Sequence, residues 1–141
     1  MRSFILTVLL YTWSLLAVAE PAVLVENAWV REAPPGAQMM SAYMTLKNTG
    51  TDDAVLVSVA SPAFTMVMLH KSEVVDGIAR MLHQDELVIP AGGAVELKPG
   101  SFHLMMPAPG ERLQDGDRVE FDLGFADGSS TRIQADVRKK P

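Results

Sequence analysis

Residues Val119 to Phe125 alternate without a break. Val119, Phe121, Leu123 and Phe125 fall on one side, and Glu120, Asp122 and Gly124 on the other. A period of two belongs to a half-buried strand, because successive side chains leave opposite faces of the pleat. Beyond residue 19 the chain keeps this habit, with short apolar and β-branched runs and no sustained 3.6-residue period. The pattern predicts strands over 23–31, 41–47, 54–59, 65–74, 78–83, 94–97, 102–106, 118–125 and 131–137. Turn residues stand between them, among them Pro34-Pro35-Gly36, Ser61-Pro62, Pro99-Gly100 and Asp127-Gly128. Each supplies either a fixed φ or a glycine able to take φ > 0, where a strand must stop. Asp76-Gly77 lies directly between two of the runs and predicts a hairpin.

About nine short strands with little helix predict an all-β fold, an antiparallel β-sandwich of the cupredoxin-like or immunoglobulin-like kind. No internal repeat or second domain shows in the 141 residues. The start differs from the rest. Met1-Arg2-Ser3 is followed by an apolar run from Phe4 to Leu16 and then Ala17-Val18-Ala19. A positive start, an apolar middle and a small-x-small exit predict a secretory signal peptide over residues 1–19, cut after Ala19. The run is shorter than the roughly 20 apolar residues that span a bilayer. Residues 20–141 are then one exported, soluble domain, large enough for a single core. No cysteine follows the apolar run to carry a lipid, so no stable membrane anchor is expected after cleavage.

Composition narrows the chemistry. The formal net charge is −5, and loss of Arg2 makes it one unit more negative. Phosphate backbones select clustered Lys and Arg, so nucleic acid is not an expected partner. The chain has no cysteine, which removes disulfides, Fe–S clusters, thiolate zinc sites and cysteine-ligated copper centres together. It has nine methionines. Methionine fills gaps in cores, but its thioether is also a soft metal ligand that survives where thiols oxidise.

Three histidines are present, His70, His83 and His103. His103 and Met105 are two apart in a predicted strand and therefore leave the same face. By the same parity Met66, Met68 and His70 share a face, as do Met81 and His83 across the Asp76-Gly77 turn. Met66 and Met68 are candidates for a soft path beside His70, and Met39 and Met40 for a second thioether site. Two imidazoles with thioethers select Cu(I), because zinc prefers imidazole, thiolate or carboxylate and harder cations prefer oxygen.

The spacing of His70, Met81, His103 and Met105 resembles the signature of the periplasmic copper chaperone family called PCuAC. The surroundings resemble it too: Leu69-His70, Asp76-Gly77 before Met81, Ile89-Pro90-Ala91-Gly92-Gly93, Leu97-Lys98-Pro99-Gly100, Trp29-Val30-Arg31 and Ala42-Tyr43-Met44. The resemblance runs from about Ala28 to Val137. It implies a cupredoxin-like fold holding Cu(I) through the positions of His70, Met81, His103 and Met105. It further implies a periplasmic protein that delivers copper to the binuclear copper centre of cytochrome c oxidase. The acceptor is then oxidase subunit II or a Sco-type thiol protein. One position departs: Lys71 follows His70 where the family often carries an acidic residue, and a cation there bears on metal binding or docking. Other readings are copper storage or detoxification, and a sandwich binding module without metal. No enzyme is expected, since neither a nucleophile elbow nor a zinc-protease motif is present.

Overall fold

The structure, a computed structural model, describes residues 22–140. The predicted signal peptide, residues 1–19, lies outside the described residues. Ten strands run in chain order: β1 (Val23–Arg31), β2 (Met39–Asn48), β3 (Ala54–Ala60), β4 (Met68–Val75), β5 (Ile78–Gln84), β6 (Leu87–Ile89), β7 (Ala94–Leu97), β8 (Phe102–Pro107), β9 (Arg118–Phe125) and β10 (Ser130–Arg138). Hydrogen bonding follows one path, β5-β4-β8-β2-β1-β10-β9-β3-β6, with β7 also on β2. The path curls around one core, so that Val57 and Val59 of β3 and His83 and Asp85 at the end of β5 line opposite sides of a single cleft. The architecture is the expected all-β, cupredoxin-like sandwich, nearly closed into a barrel.

The core is built by alternation. In β9, Val119, Phe121, Leu123 and Phe125 are buried and the intervening residues are not. β2 turns Met40, Ala42, Met44 and Leu46 the same way. β8 adds Leu104 and Met106, both fully buried. With no cysteine in the chain, this packing and its hydrogen bonds hold the fold alone. Two polar residues are buried among those described, His103 and Asn48, the latter only 1% exposed. Its amide donates to the carbonyls of Asp52 and Ile89, and its side-chain oxygen accepts from the Gly50 N–H. A buried amide is tolerated when its bonding capacity is spent in this way. It ties the β2 end to β6 and to the turn before β3.

Three features depart in detail from the periodicity. β6 is three residues long, below the length at which alternation can be recognised. β4 begins at Met68 and not at Thr65, because the Ser61–Phe64 turn precedes it and drops Phe64 into the core. β1 runs parallel to β10, while every other pair is antiparallel. A bulge between Glu26 and Trp29, with Asn27 at φ 53°, breaks β1's alternation. It puts Val30 in the core and turns Trp29 to the other face, where it is buried against Tyr43 with ring centroids 4.8 Å apart. The β4–β5 hairpin closes with Asp76 at φ 52° and Gly77 at φ 76°. Two consecutive positive φ values make the turn whose twist matches the strands it joins.

Candidate metal site

The site lies on the outer face of three adjacent strands, β5, β4 and β8. Leu69 pairs with Leu104 and turns to the core, so the flanking residues His70, Met68, His103 and Met105 turn outward. The register pairs His70 with His83 on one side and with His103 on the other. Met68 pairs with Met105, and Ser72 with Met81. Directly opposed residues have Cβ atoms about 5 Å apart, and diagonal ones about 7–8 Å. Met81 and Met105 therefore sit on two diagonals of His70, within reach of its ring by their long side chains. All four residues of the predicted set come onto one face.

Burial is graded across the three strands. His103 is 4% exposed, His70 is half-buried, and Met81 is 51% exposed. The rings of His70 and His103 stand at 87° with centroids 5.9 Å apart, and those of His70 and His83 at 85° and 5.6 Å. His103 Nδ1 lies 3.0 Å from the Ser101 carbonyl oxygen. A carbonyl can only accept, so Nδ1 carries the proton and Nε2 keeps a free lone pair. The partner that orients the ring thus also selects the atom left for a metal. His70 Nδ1 is buried and has no hydrogen-bond partner among the described residues. Such an atom is costly to leave unpaired. A soft cation accepting its lone pair would relieve that cost.

Burial is the main cause that pushes the His70 pKa below the ordinary imidazole value, with His103 and then His83 adding repulsion. The group is therefore held neutral, the form a metal requires. Folding here disfavours the bound proton, so the sign is fixed. The metal-free protein keeps its stability above the ordinary imidazole range and loses it as pH falls below that range toward the depressed value. An NMR titration should find the His70 Cε1–H resonance moving at a pH below the ordinary imidazole range. A His70 midpoint within or above that range would contradict this.

The remaining candidates separate cleanly. Met106 and Met40 are core residues, at 0% and 4% exposure. Met39 faces out on β2, so strand alternation splits the Met39–Met40 pair that the sequence offered as a second site. Met66 is exposed and precedes β4, while Met68 stands opposite Met105 on the site face. Met68, the candidate for a soft path, and His83, a candidate further contact on the face of Met81, are set beside Met105 and His70 by the strand register. Lys71 turns away from the site. Its ammonium lies 5.4 Å from the Phe102 ring centroid on the opposite face, so it does not oppose a metal at His70. Among the described residues no three His, Asp or Glu side chains are placed to hold an ion together. A metal on this face needs the thioethers.

Fold and face together define a small β-sandwich that gathers histidine and methionine side chains on one outer face. The LpqE-like lipoprotein family model matches residues 23–137, and the chain belongs to this family, which is of the PCuAC type. It is 32% identical over 117 residues to a Leifsonia xyli subsp. xyli protein named as a lipoprotein, Lxx21020, covering 82% of this chain and 69% of that one. Among solved structures it resembles the Cu(I) form of DR1885 from Deinococcus radiodurans. The identity is 32%, the TM-score 0.68, and the match covers 88% of this chain and 83% of that one. The copper-bound PCuAC domain of PmoF2 superposes with a TM-score of 0.71 at 22% identity, over 86% of this chain and 97% of that domain. That likeness concerns the fold alone.

Proposed function

We propose that the protein is an exported copper(I) carrier that binds one Cu(I) through His70, Met81, His103 and Met105 and passes it on by ligand exchange. The observation that carries this reading is the register of β5, β4 and β8, which gathers these four side chains on one face with His103 buried and Met81 exposed. The likeness to a Cu(I)-form protein at 32% identity supports it. Thioether and neutral imidazole are the donors that hold Cu(I) without a thiol. The gradient of burial gives the exchange a direction. An acceptor approaching from solvent displaces Met81 first and His103 last, taking the ion one bond at a time. Nothing in this sequence of exchanges requires catalysis by the chain.

The destination in this proposal is the binuclear copper centre of cytochrome c oxidase, reached directly or through a Sco-type thiol protein. Thiolates bind Cu(I) more strongly than thioethers, so exchange runs toward such acceptors. Residues 1–19 take the protein to the periplasm. The test is deletion of the gene followed by oxidase assay at low copper. Loss of oxidase activity that added copper restores is the expected result. Normal oxidase activity with heightened copper sensitivity would replace delivery by detoxification.

A further inference from the structure

The methionines of the described residues divide by exposure. Met40, Met44 and Met106 are buried in the core. Met68 and Met105 are half-buried on the site face, and Met39 is exposed on β2. Met66 and Met81 are the most open, at 53% and 51%. Of the three exposed thioethers only Met81 belongs to the proposed donor set. It sits in β5, the end strand of the hydrogen-bonded path, where every residue from Ile78 to His83 is exposed. Its sulfur therefore meets dissolved molecules without any opening of the fold. Oxidation of a thioether to the sulfoxide follows such access, and it turns a soft apolar group into a polar one. The sulfur lone pair that the oxidant takes is one that Cu(I) needs, and the sulfoxide is a poorer soft donor.

We infer that Met81 is a redox-modification site, at which hydrogen peroxide converts the thioether of the empty carrier to the sulfoxide and so closes the Cu(I) site, while bound metal protects it. The inference rests on the carrier reading in one respect, that Met81 is a ligand. In the step itself the sulfur lone pair attacks one peroxide oxygen, and the S–O bond forms as the O–O bond breaks. The proton on the new oxygen passes to the departing hydroxide, giving water; sulfur loses two electrons and peroxide gains them. Because Met81 lies outside the core, its sulfoxide leaves the packing intact. The same change at Met44 or Met106 would set a polar oxygen among buried apolar side chains, and there the fold shields the sulfur. An enzyme of the methionine sulfoxide reductase class would return the thioether and reopen the site.

Metal-free protein in chloride-free buffer, treated with hydrogen peroxide and followed by peptide mass mapping, tests this. Met81 should gain one oxygen at about the rate of Met66, and at least about tenfold faster than Met40, Met44 or Met106. Ag(I), a soft cation that peroxide does not oxidise, should slow Met81 at least about tenfold and leave Met66 unchanged. After desalting, the Cu(I) affinity of the oxidised protein, by chelator competition, should be lower by about tenfold. Its circular dichroism should be unchanged, and methionine sulfoxide reductase should restore the affinity. Met81→Leu starts from a lower affinity, and peroxide should take nothing further from it. Met66→Leu should respond as wild type does. Met81 oxidised no faster than the core methionines, or a loss of affinity that persists in Met81→Leu, overturns the modification site and leaves the carrier reading standing. Ag(I) that binds without slowing Met81 removes Met81 from the donor set and overturns the inference with it. Absence of Cu(I) binding before any oxidation overturns the carrier reading itself.

Discussion

Replacing His103 by alanine is expected to weaken Cu(I) binding by about a hundredfold or more, roughly 2.7 kcal/mol. Four donors sharing a binding free energy on the order of 10–16 kcal/mol give each one a few kcal/mol. His103 should stand at the upper end because its ring is 4% exposed and its Nδ1 is tied to the Ser101 carbonyl. The lone pair on Nε2 is thus aimed before any metal arrives, and solvent does not replace it when it is removed. Met81 is the opposite case. At 51% exposure it is free to leave its position, and water or a neighbouring donor can take its place. Met81→Ala should therefore weaken Cu(I) binding clearly less than His103→Ala. Competition with a chromophoric Cu(I) chelator measures both. Equal affinities in wild type and His103→Ala, or a larger loss in Met81→Ala, would remove the site as described. His103→Ala also leaves the Ser101 carbonyl without its partner, at a cost of about 1–3 kcal/mol of stability. Circular dichroism should accompany the competition, and Met105→Leu, close to isosteric, serves as the variant that removes a donor with little change in packing.

Much of this was legible in the chain because parity is local. Val119–Phe125 announced its buried face residue by residue, and the structure buries those four positions. Asp76-Gly77 announced its turn, since two positive φ values in a hairpin demand such a pair. Parity also placed His103 with Met105. What parity could not supply is anything set between strands. The pairing of His70 with both His83 and His103 depends on the registers of β4 with β5 and β8, which join residues up to 37 positions apart along the chain. The parallel pairing of β1 with β10 joins the two ends of the domain and leaves no local trace. Lys71 shows the converse. Its place next to His70 in sequence implies a charge beside the metal, yet a single step along a strand sends it to the other face.

Phe121→Ala is expected to cost about 3–5 kcal/mol, the range for removing a buried aromatic side chain and leaving a cavity. For a domain of this size that lowers Tm by about 10–25 °C in calorimetry. The side chain is fully buried at the centre of β9 and stacks on Phe64 with centroids 6.2 Å apart. No disulfide limits the unfolded chain, so the loss falls directly on a total stability of only about 5–15 kcal/mol. Val57→Ala in β3 provides the contrast. Val57 is 45% exposed, and its truncation should change stability by no more than about 0.5 kcal/mol. A Tm loss in Phe121→Ala no greater than that in Val57→Ala would show that the core is not centred on β9. The effect on metal binding separates core from site. Phe64 belongs to the turn that feeds β4, so Phe121→Ala loosens the approach to Met68 and His70. The positions of those residues are nevertheless set by the pairing of β4 with β5 and β8, three strands that do not touch β9 in the hydrogen-bonded path. Below its melting transition the variant should bind Cu(I) within about threefold of wild type, because sites joined only through shared packing at this distance behave nearly independently. Cu(I) should then raise the variant's Tm by binding the folded state alone.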